Sequence, residues 1–407
     1  MWVRIVALLL GSLALRPSVG AAIPMPLDAI DAAAADALAA AVAGPLRPDP
    51  AVQKLGDEIL AYADRADGLT LRFTPVETPS STALVLPNGS IYLSTKTLEL
   101  LRGDVEKTSF VLASLGALAI DGGARDSDAV CEVVDRGGAL PASFVQTVEA
   151  TLTPERLYQA DRLAMLCLAR AGMPPLEGVR AIDDLARAGV RWTTTPKLPG
   201  VPTLLERKVK ASQAAADLIK AATEFDFAVM DLVEKRYEDA IPRFKTFLEI
   251  LPNNYAGWNN LGLCHYHLAI EPLGPPRFLL ADAVAEFDTS YFTRGKRAPD
   301  DEHWQAALAA YQKASRLDPL RVEALINLGN LYLVTRDYQK GRHYFDLVLA
   351  QQPRNATALN NYGVALAEET AGDFPAEALA KFSSAAEADP TLPEAQFNLG
   401  LARAELG

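Results

Sequence analysis

The C-terminal half of the chain repeats one pattern of apolar, small and proline positions. Four apolar stretches with helical spacing each end at a proline: Pro252, Pro319, Pro353 and Pro390. An aromatic residue stands eight positions before each of these prolines: Phe244, Tyr311, Phe345 and Phe382. A second apolar stretch follows each proline and has a glycine near its middle: Gly262, Gly329, Gly363 and Gly400. The pattern predicts an array of helix pairs with a period of about 34 residues.

These units resemble the tetratricopeptide repeat (TPR), in which each unit contains a helix A and a helix B. A small residue in each helix allows the two helices to approach closely, and large apolar residues fill the space between units. The proline stops helix B because it lacks an N–H donor and clashes with the preceding turn. The resemblance predicts an all-α TPR solenoid at 223–407, preceded by a linker helix at 206–222.

Three parts of this array depart from the repeat. The first unit has Phe227 and Ala228 where the others have Leu-Gly or Tyr-Gly. The stretch 268–303 is either an insertion between helix A and helix B of one unit or two half-repeats that have lost the pattern. Within it, a helix is predicted at 278–292. The unit that begins at Pro393 contains only helix A, which is expected to cap the array.

The N-terminal half alternates between helix-like and strand-like patterns. Three stretches have the apolar spacing of helices: 51–65, 108–120 and 157–171. Two stretches alternate apolar and polar residues as strands do: 69–74 and 83–93. A turn is predicted at 87–89, where the sequence is Pro-Asn-Gly. We therefore predict an α+β domain over 23–205.

This order of elements resembles the gluzincin metallopeptidases of the HtpX and BepA kind, which are often fused to TPR arrays. The stretch 82–89 is similar to the family's N-A-F-A-L-P-G-G motif. Residues 159–163 and 169–175 resemble its E-x-x-A-D-R and A-R-A-G-Y-x-P motifs, and 193–196 resembles its S-T-H-P. The resemblance covers about residues 50–207. It implies an α+β peptidase-like N-terminal domain followed by the all-α TPR solenoid.

The positions that would hold zinc in this family carry other residues here. Such a peptidase needs H-E-x-x-H on one helix, which directs two imidazoles at one metal while the glutamate activates water. The resemblance implies that other residues stand at these ligand and catalytic positions: Ser114, Leu115, Leu118, Leu157 and Thr195. The four histidines of the chain all lie in the repeat half: His265, His267, His303 and His343.

We therefore expect an N-terminal domain without metal, cofactor or catalysis, in which apolar side chains fill the former metal pocket. Asp161, which the resemblance retains, is expected to pair with Arg156 or Arg162. His265 is expected to pack in the core rather than to bind a metal. The alternative is an active zinc metallopeptidase of the cell envelope, with ligands elsewhere in the chain.

The first 22 residues have the pattern of a secretory signal peptide. Arg4 precedes an apolar stretch at 5–15, and small residues at 19–22 fit a cleavage site. The apolar stretch is too short to cross a membrane. We therefore expect removal of 1–22 and export to the periplasm or the cell exterior.

Charge and cysteine content narrow the partners further. The chain has 39 Lys and Arg against 51 Asp and Glu, a net charge of -12. Such a balance leaves no excess of positive charge for nucleic acid or for an anionic membrane surface. The three cysteines, Cys131, Cys167 and Cys264, are too few for a disulfide-stapled fold. Whether any two of them pair stays open.

Asparagines recur along the predicted inner surface of the TPR array. They occupy position six of helix A in four units and several neighbouring positions: Asn259, Asn260, Asn327, Asn330, Asn360, Asn361 and Asn398. An amide offers both a donor and an acceptor, so this row is expected to bind the backbone of a partner peptide. The alternative is that each asparagine pairs with its own turn.

The predicted inner surface also restricts the kind of peptide that it could bind. Three helix A segments contain no Lys or Arg: 255–267, 322–334 and 356–367. This absence disfavours a clamp for a C-terminal carboxylate and favours neutral, apolar or basic segments. The sequence thus predicts an exported, non-catalytic protein–protein interaction scaffold, or an assembly or chaperone adaptor.

Overall fold

The computed structural model describes most of the chain outside its N-terminal region. The described residues are 36, 39–40, 44–63, 69–78, 83–85, 89–101, 103–120, 153–190, 202–271, 278–281, 301–370 and 374–406. The predicted signal peptide at 1–22, Cys131, Thr195 and most of the stretch 268–303 lie outside them. None of the described helices is long and apolar enough to cross a membrane. The chain divides into two compact units, with the boundary between Ile219 and Lys220.

Unit 1 combines a small sheet with helices. Its elements in chain order are α1 (Pro50–Leu60), β1 (Arg72–Val76), β2 (Ala83–Val85), β3 (Ser90–Ser94), α2 (Thr95–Leu101), α3 (Val105–Ile120), α4 (Pro154–Arg170) and α5 (Leu176–Arg187). The strand order is β1-β3-β2, with β3 parallel to β1 and antiparallel to β2. Helices α1 and α4 each begin with a proline after a capping side chain, Asp49 and Thr153 respectively.

Helix α3 forms the centre of unit 1. All of its residues from Ser109 to Ala119 are buried, as expected for a helix that is apolar on every face. It packs against α1, α4 and α5 and against strands β2 and β3. A methyl group at Gly116 would lie 2.4 Å from Leu60, so the glycine permits the close approach of α1. The apolar pattern at 108–120 thus predicts the central element of this unit.

A long helix, α6 (Leu204–Val233), includes the predicted linker helix at 206–222 and continues into the first TPR unit. It begins with a reciprocal cap between Thr203 and Glu206. The backbone N–H of Thr203 donates to Glu206 Oε2 over 2.7 Å, and the N–H of Glu206 donates to Thr203 Oγ1 over 3.2 Å. These bonds give α6 a defined start, and no break separates a linker from the array.

Unit 2 consists of helix pairs packed in chain order. Its helices after α6 are α7 (Tyr237–Ile250), α8 (Tyr255–Ile270), α9 (Asp301–Leu317), α10 (Glu323–Val334), α11 (Tyr338–Gln351), α12 (Ala356–Glu369), α13 (Ala376–Ala388) and α14 (Pro393–Leu406). Helices α10, α12 and α14 are helix A of their units, and α11 and α13 are helix B. In the degenerate first unit, Phe225 of α6 packs edge-on against Phe244 of α7.

Close glycine–aromatic contacts hold helix A against helix B in the units of the array. A methyl group at Gly363 of α12 would lie 2.7 Å from the Phe382 ring of α13. The same separation of 2.7 Å applies to Gly262 of α8 and Tyr311 of α9. Helices α8 and α9 are therefore helix A and helix B of one unit. This pairing favours an insertion between the two helices, at 271–300 rather than 268–303. It stays a prediction, because most of that stretch lies outside the described residues.

Candidate functional site

The asparagine row lies on the helices A of unit 2 and is fully buried. Its members, between 0% and 1% exposed, are Asn259 and Asn260 on α8, Asn327 and Asn330 on α10, Asn360 and Asn361 on α12, and Asn398 on α14. Burial of an amide is costly unless its donors and acceptors find partners. The partners of these side chains therefore decide what the row does.

Part of the row binds a segment of the chain's own insertion, Phe278–Ala281, which we call the inner segment. The backbone N–H of Leu279 donates to Asn398 Oδ1 over 2.9 Å. The carbonyl oxygen of Leu279 accepts from Asn398 Nδ2 over 2.7 Å and from Asn360 Nδ2 over 3.1 Å. One asparagine side chain thus pairs with both backbone groups of one residue.

The same arrangement recurs two residues later in the inner segment. The N–H of Ala281 donates to Asn361 Oδ1 over 2.9 Å. Its carbonyl oxygen accepts from Asn361 Nδ2 over 2.7 Å and from Asn330 Nδ2 over 2.9 Å. Alternate residues of the inner segment therefore have both backbone groups bound by side-chain amides, as an edge strand would by a neighbouring strand.

Bonds between asparagines complete the site. Asn361 Nδ2 donates to Asn330 Oδ1 over 2.7 Å, and Asn361 Oδ1 accepts from Asn360 Nδ2 over 2.9 Å. Asn398 Nδ2 donates to Asn360 Oδ1 over 2.9 Å. Asn361 therefore uses two donated and two accepted bonds, the full capacity of an amide. These four hydrogen bonds offset the cost of burying the Asn361 side chain and orient its amide toward the inner segment.

The other end of the row contains the remaining three asparagines. Asn327 Nδ2 donates to Asn259 Oδ1 over 3.1 Å, and Asn259 Nδ2 donates to Asn260 Oδ1 over 3.3 Å. These bonds join α10 to α8 across two repeats. Their role in binding a partner stays a prediction.

Three of the four side chains of the inner segment are buried. Phe278 and Leu280 are 1% and 5% exposed and belong to the apolar core of the last repeats, whereas Leu279 is partly exposed. The Phe278 ring stacks on Phe382 with a centroid distance of 5.7 Å. It also lies 5.8 Å from the Phe374 ring. The bound backbone groups of Leu279 and Ala281 recur every two residues, which is the period of an extended chain, and the segment has no helical residue.

The helix predicted at 278–292 is therefore wrong for 278–281, and the rest of that range lies outside the described residues. Apolar spacing in this stretch also fits a helix, which is why the pattern misled. A better signal was available in the prolines at 272, 275 and 276, which favour an extended chain immediately before Phe278. The inner segment is part of the site, and the sequence pattern did not predict this.

Two histidines of unit 2, His265 and His267, are buried, and each contacts another histidine or an aromatic ring. His265 is 8% exposed, and its Nδ1 lies 2.8 Å from Nδ1 of His303. Burial, with help from the charges of His303 and Lys245, lowers the pKa of His265 to about 4. The His267 ring stacks on Tyr237 at 4.5 Å, and burial lowers its pKa to about 3. Among the described residues, no group of three His, Cys, Asp or Glu could hold a metal ion.

In unit 1, a buried polar cluster occupies one of the positions compared above with the zinc motif. Ser114 Oγ of α3 donates to Asp161 Oδ1 of α4 over 2.9 Å. The Arg207 guanidinium of α6 donates from Nη2 to Asp161 Oδ1 over 2.7 Å and from Nε to Asp161 Oδ2 over 2.9 Å. The side chains of the ion pair are each 2% exposed. The expected pairing of Asp161 with Arg156 or Arg162 is wrong, because Arg207 takes both carboxylate oxygens.

The neighbouring positions are apolar core. Leu115, Leu118 and Leu157 are 1%, 8% and 2% exposed, and Leu118 and Leu157 share one apolar cluster. Leucine offers no ligand atom, and both oxygens of Asp161 are held by Arg207. The described residues of this region therefore do not fit a zinc ion. Thr195, the last of the compared positions, lies outside the described residues.

Comparison with known proteins identifies the repeats. The tetratricopeptide repeat family model matches residues 292–355 and 326–393. That model describes a repeat rather than an enzyme. No curated protein matches the chain.

Solved structures similar to this chain include three repeat proteins of low sequence identity. MamA from Desulfovibrio magneticus RS-1 is 16% identical, with 46% of this chain and 85% of that chain covered and a TM-score of 0.32. TTC0263, a TPR protein of Thermus thermophilus, is 15% identical, with 61% and 99% covered and a TM-score of 0.33. YrrB, described as a TPR protein with an unusual peptide-binding site, is 18% identical, with 56% and 94% covered and a TM-score of 0.31.

The family match and the helix pairing agree on the nature of the C-terminal part. The two overlapping matches cover residues 292–393, which include α9 to α13. The C-terminal part of this chain is therefore built of tetratricopeptide repeats.

Proposed function

We propose that this protein is an exported, non-catalytic scaffold or adaptor that binds an extended segment of a protein partner on the asparagine row. The proposal rests above all on one observation. Asn398 and Asn361 bind both backbone groups of Leu279 and Ala281, so the row already binds an extended peptide in its own chain. TPR arrays present such inner surfaces to protein or peptide partners.

Backbone recognition makes the row tolerant of the partner's sequence. The side chain of Leu279 is partly exposed while its N–H and carbonyl oxygen are bound, so the residue at this position is free to vary. Three helix A segments of the row have no Lys or Arg, so a terminal carboxylate would find no charge-assisted bond on them: 255–267, 322–334 and 356–367. The partner class is therefore an internal stretch of a protein that is neutral, apolar or basic.

The non-catalytic part of the proposal is supported by the buried cluster of unit 1. Ser114 donates its hydroxyl to Asp161, and Arg207 neutralises that carboxylate, so neither group is arranged as a nucleophile or a general base. The leucines beside them offer no metal ligand. Export is supported by the signal-peptide pattern at 1–22.

The function is tested with full-length protein as bait for envelope proteins. The variant Asn360→Ala/Asn398→Ala removes the amides that bind Leu279. Asn253→Ala is the matched control because Asn253 is exposed. We expect the double variant to lose partners that the wild type and the control retain. Equal capture by a double variant with normal circular dichroism would place the binding surface elsewhere.

A further inference from the structure

The inner segment occupies the same hydrogen-bonding atoms that a partner peptide would need. Asn398 and Asn361 have both amide atoms engaged by Leu279 and Ala281. A second peptide cannot pair with these two amides while the inner segment is in place. Occupation by the chain itself and occupation by a partner are therefore mutually exclusive.

We infer that Phe278–Ala281 is a tethered competitor, which must leave the asparagine row before a partner of similar sequence binds there. This inference rests on the proposed function. It assigns regulation to the row, because the free protein is closed by its own insertion and a partner opens it. It also specifies the partner's chemistry, because a competitor for one site must satisfy the same contacts.

The buried side chains of the inner segment define that chemistry. Phe278 stacks on Phe382, Leu280 enters the same core, and Ala281 is 2% exposed, which leaves room for only a small residue. Leu279, between the two large side chains, is partly exposed. The partner segment is therefore an extended stretch with an aromatic residue, any residue, an aliphatic residue and a small residue in that order.

The position of the inner segment in the chain makes its release feasible. It lies in the insertion between α8, which ends at Ile270, and α9, which begins at Asp301. Helices α8 and α9 are held together by their own contact between Gly262 and Tyr311, so the pair does not depend on the inner segment. Displacement therefore gives up the contacts of four residues and leaves the helix pair intact.

Tethering sets the size of the effect. A segment joined to its site by a short connection has an effective concentration of about 1 mM. A free peptide then binds with an apparent Kd equal to its intrinsic Kd divided by the fraction of sites that the inner segment leaves free. We therefore expect release of the inner segment to tighten binding of a free peptide by about tenfold or more.

The test measures binding of a fluorescent synthetic peptide with the sequence of residues 277–282, Arg-Phe-Leu-Leu-Ala-Asp, to the full chain by anisotropy. The variant Phe278→Ala/Leu280→Ala removes the side chains that anchor the inner segment. Leu279→Ala is the matched control, since it makes the same type of change between them at a partly exposed side chain. We expect the double variant to bind the peptide about tenfold or more tightly than the wild type, and the control to bind like the wild type.

Two further measurements keep the outcome decisive. Adding Asn360→Ala/Asn398→Ala to the released variant should abolish binding, which locates the peptide on the row. If Phe278→Ala/Leu280→Ala does not fold, Leu279→Pro replaces it, because proline lacks the N–H that donates to Asn398 while Phe278 and Leu280 stay in place. The same tightening is expected of Leu279→Pro.

The possible failures are distinct. Equal affinity of the folded wild type and the folded released variant for the peptide overturns the tethered competitor and leaves the proposed function standing. Absence of binding to every folded variant overturns both, because the row then binds no separate peptide.

Discussion

The ion pair between Arg207 and Asp161 should be one of the most sensitive points of unit 1. It joins α6 to α4, and Ser114 adds α3 through its bond to the same carboxylate. Both charged side chains are 2% exposed, so water does not screen either charge when its partner is removed. A charge left alone in such a place is far more costly than the pair itself.

The perturbation is Arg207→Met, which keeps an unbranched apolar stem and removes the guanidinium. Loss of one partner of a buried ion pair costs about 3–5 kcal/mol. Because each 1.4 kcal/mol is about a factor of ten, local unfolding of α3 and α4 should become more frequent by a factor of about 100 to 4,000. The variant Asp161→Leu/Arg207→Met should recover most of this loss, because it leaves no buried charge.

Hydrogen exchange followed by mass spectrometry measures this opening in the full chain. Peptides from α3 and α4 should lose protection in Arg207→Met, while peptides from unit 2 serve as an internal reference. Arg162→Met is the matched control because Arg162 is exposed on α4. In the control, protection of α3 and α4 should fall less than about tenfold. An equally small fall in Arg207→Met would show that Arg207 and Asp161 do not depend on each other and would refute the prediction.

Four further predictions follow from the structure. Gly363→Ala should destabilise unit 2 by about 1–3 kcal/mol in urea unfolding, because its methyl group meets Phe382 at 2.7 Å, whereas Gly400→Ala meets nothing within 4 Å and should gain about 0.5–1 kcal/mol. The pKa of His265 is lowered to about 4 in the folded protein from its ordinary value of 6.5, so the unfolded state binds more protons between pH 4 and pH 6.5. The unfolding free energy of the wild type should therefore fall as the pH drops from 6.5 to 4. The fall should be smaller in His265→Gln, and the control variant His343→Gln should show the same fall as the wild type. A fragment of residues 220–407 should be helical and melt cooperatively by circular dichroism, and an unfolded fragment would contradict the boundary. The protein without 1–22 should bind no stoichiometric zinc by elemental analysis and should not cleave casein, so a chelator-sensitive protease activity would contradict the non-catalytic proposal.

Much of the local structure was predictable because it depends on periodic burial. The helices at 108–120 and 157–171 correspond to α3 and α4, and the alternating stretch 83–93 forms the antiparallel pair of β2 and β3. The glycine and aromatic positions of the repeat predicted close contact between helix A and helix B, as Gly363 and Phe382 show. In each case the residues that make the contact lie within one repeat or one element, so their spacing carries the information.

The sequence predicted the asparagine row of the candidate site but not the inner segment that the row binds. The asparagine row follows from the repeat, since four units place an asparagine at position six of helix A. The inner segment does not, because its apolar residues fit a helix as well as an extended chain. Its conformation depends on Asn398, which follows Leu279 by 119 residues in the chain.

The sequence by itself determined the repeat phase of unit 2, the asparagines along its inner surface and the apolar helix at the centre of unit 1. Each of these depends on which residues recur at a helical or strand-like period, and period is a local property of the chain. Only the tertiary structure decided that Asp161 pairs with Arg207, that β1 runs parallel to β3 and that the inner segment fills the asparagine row. These are polar pairings between distant residues, and a buried donor or acceptor takes whichever partner the fold brings within about 3 Å.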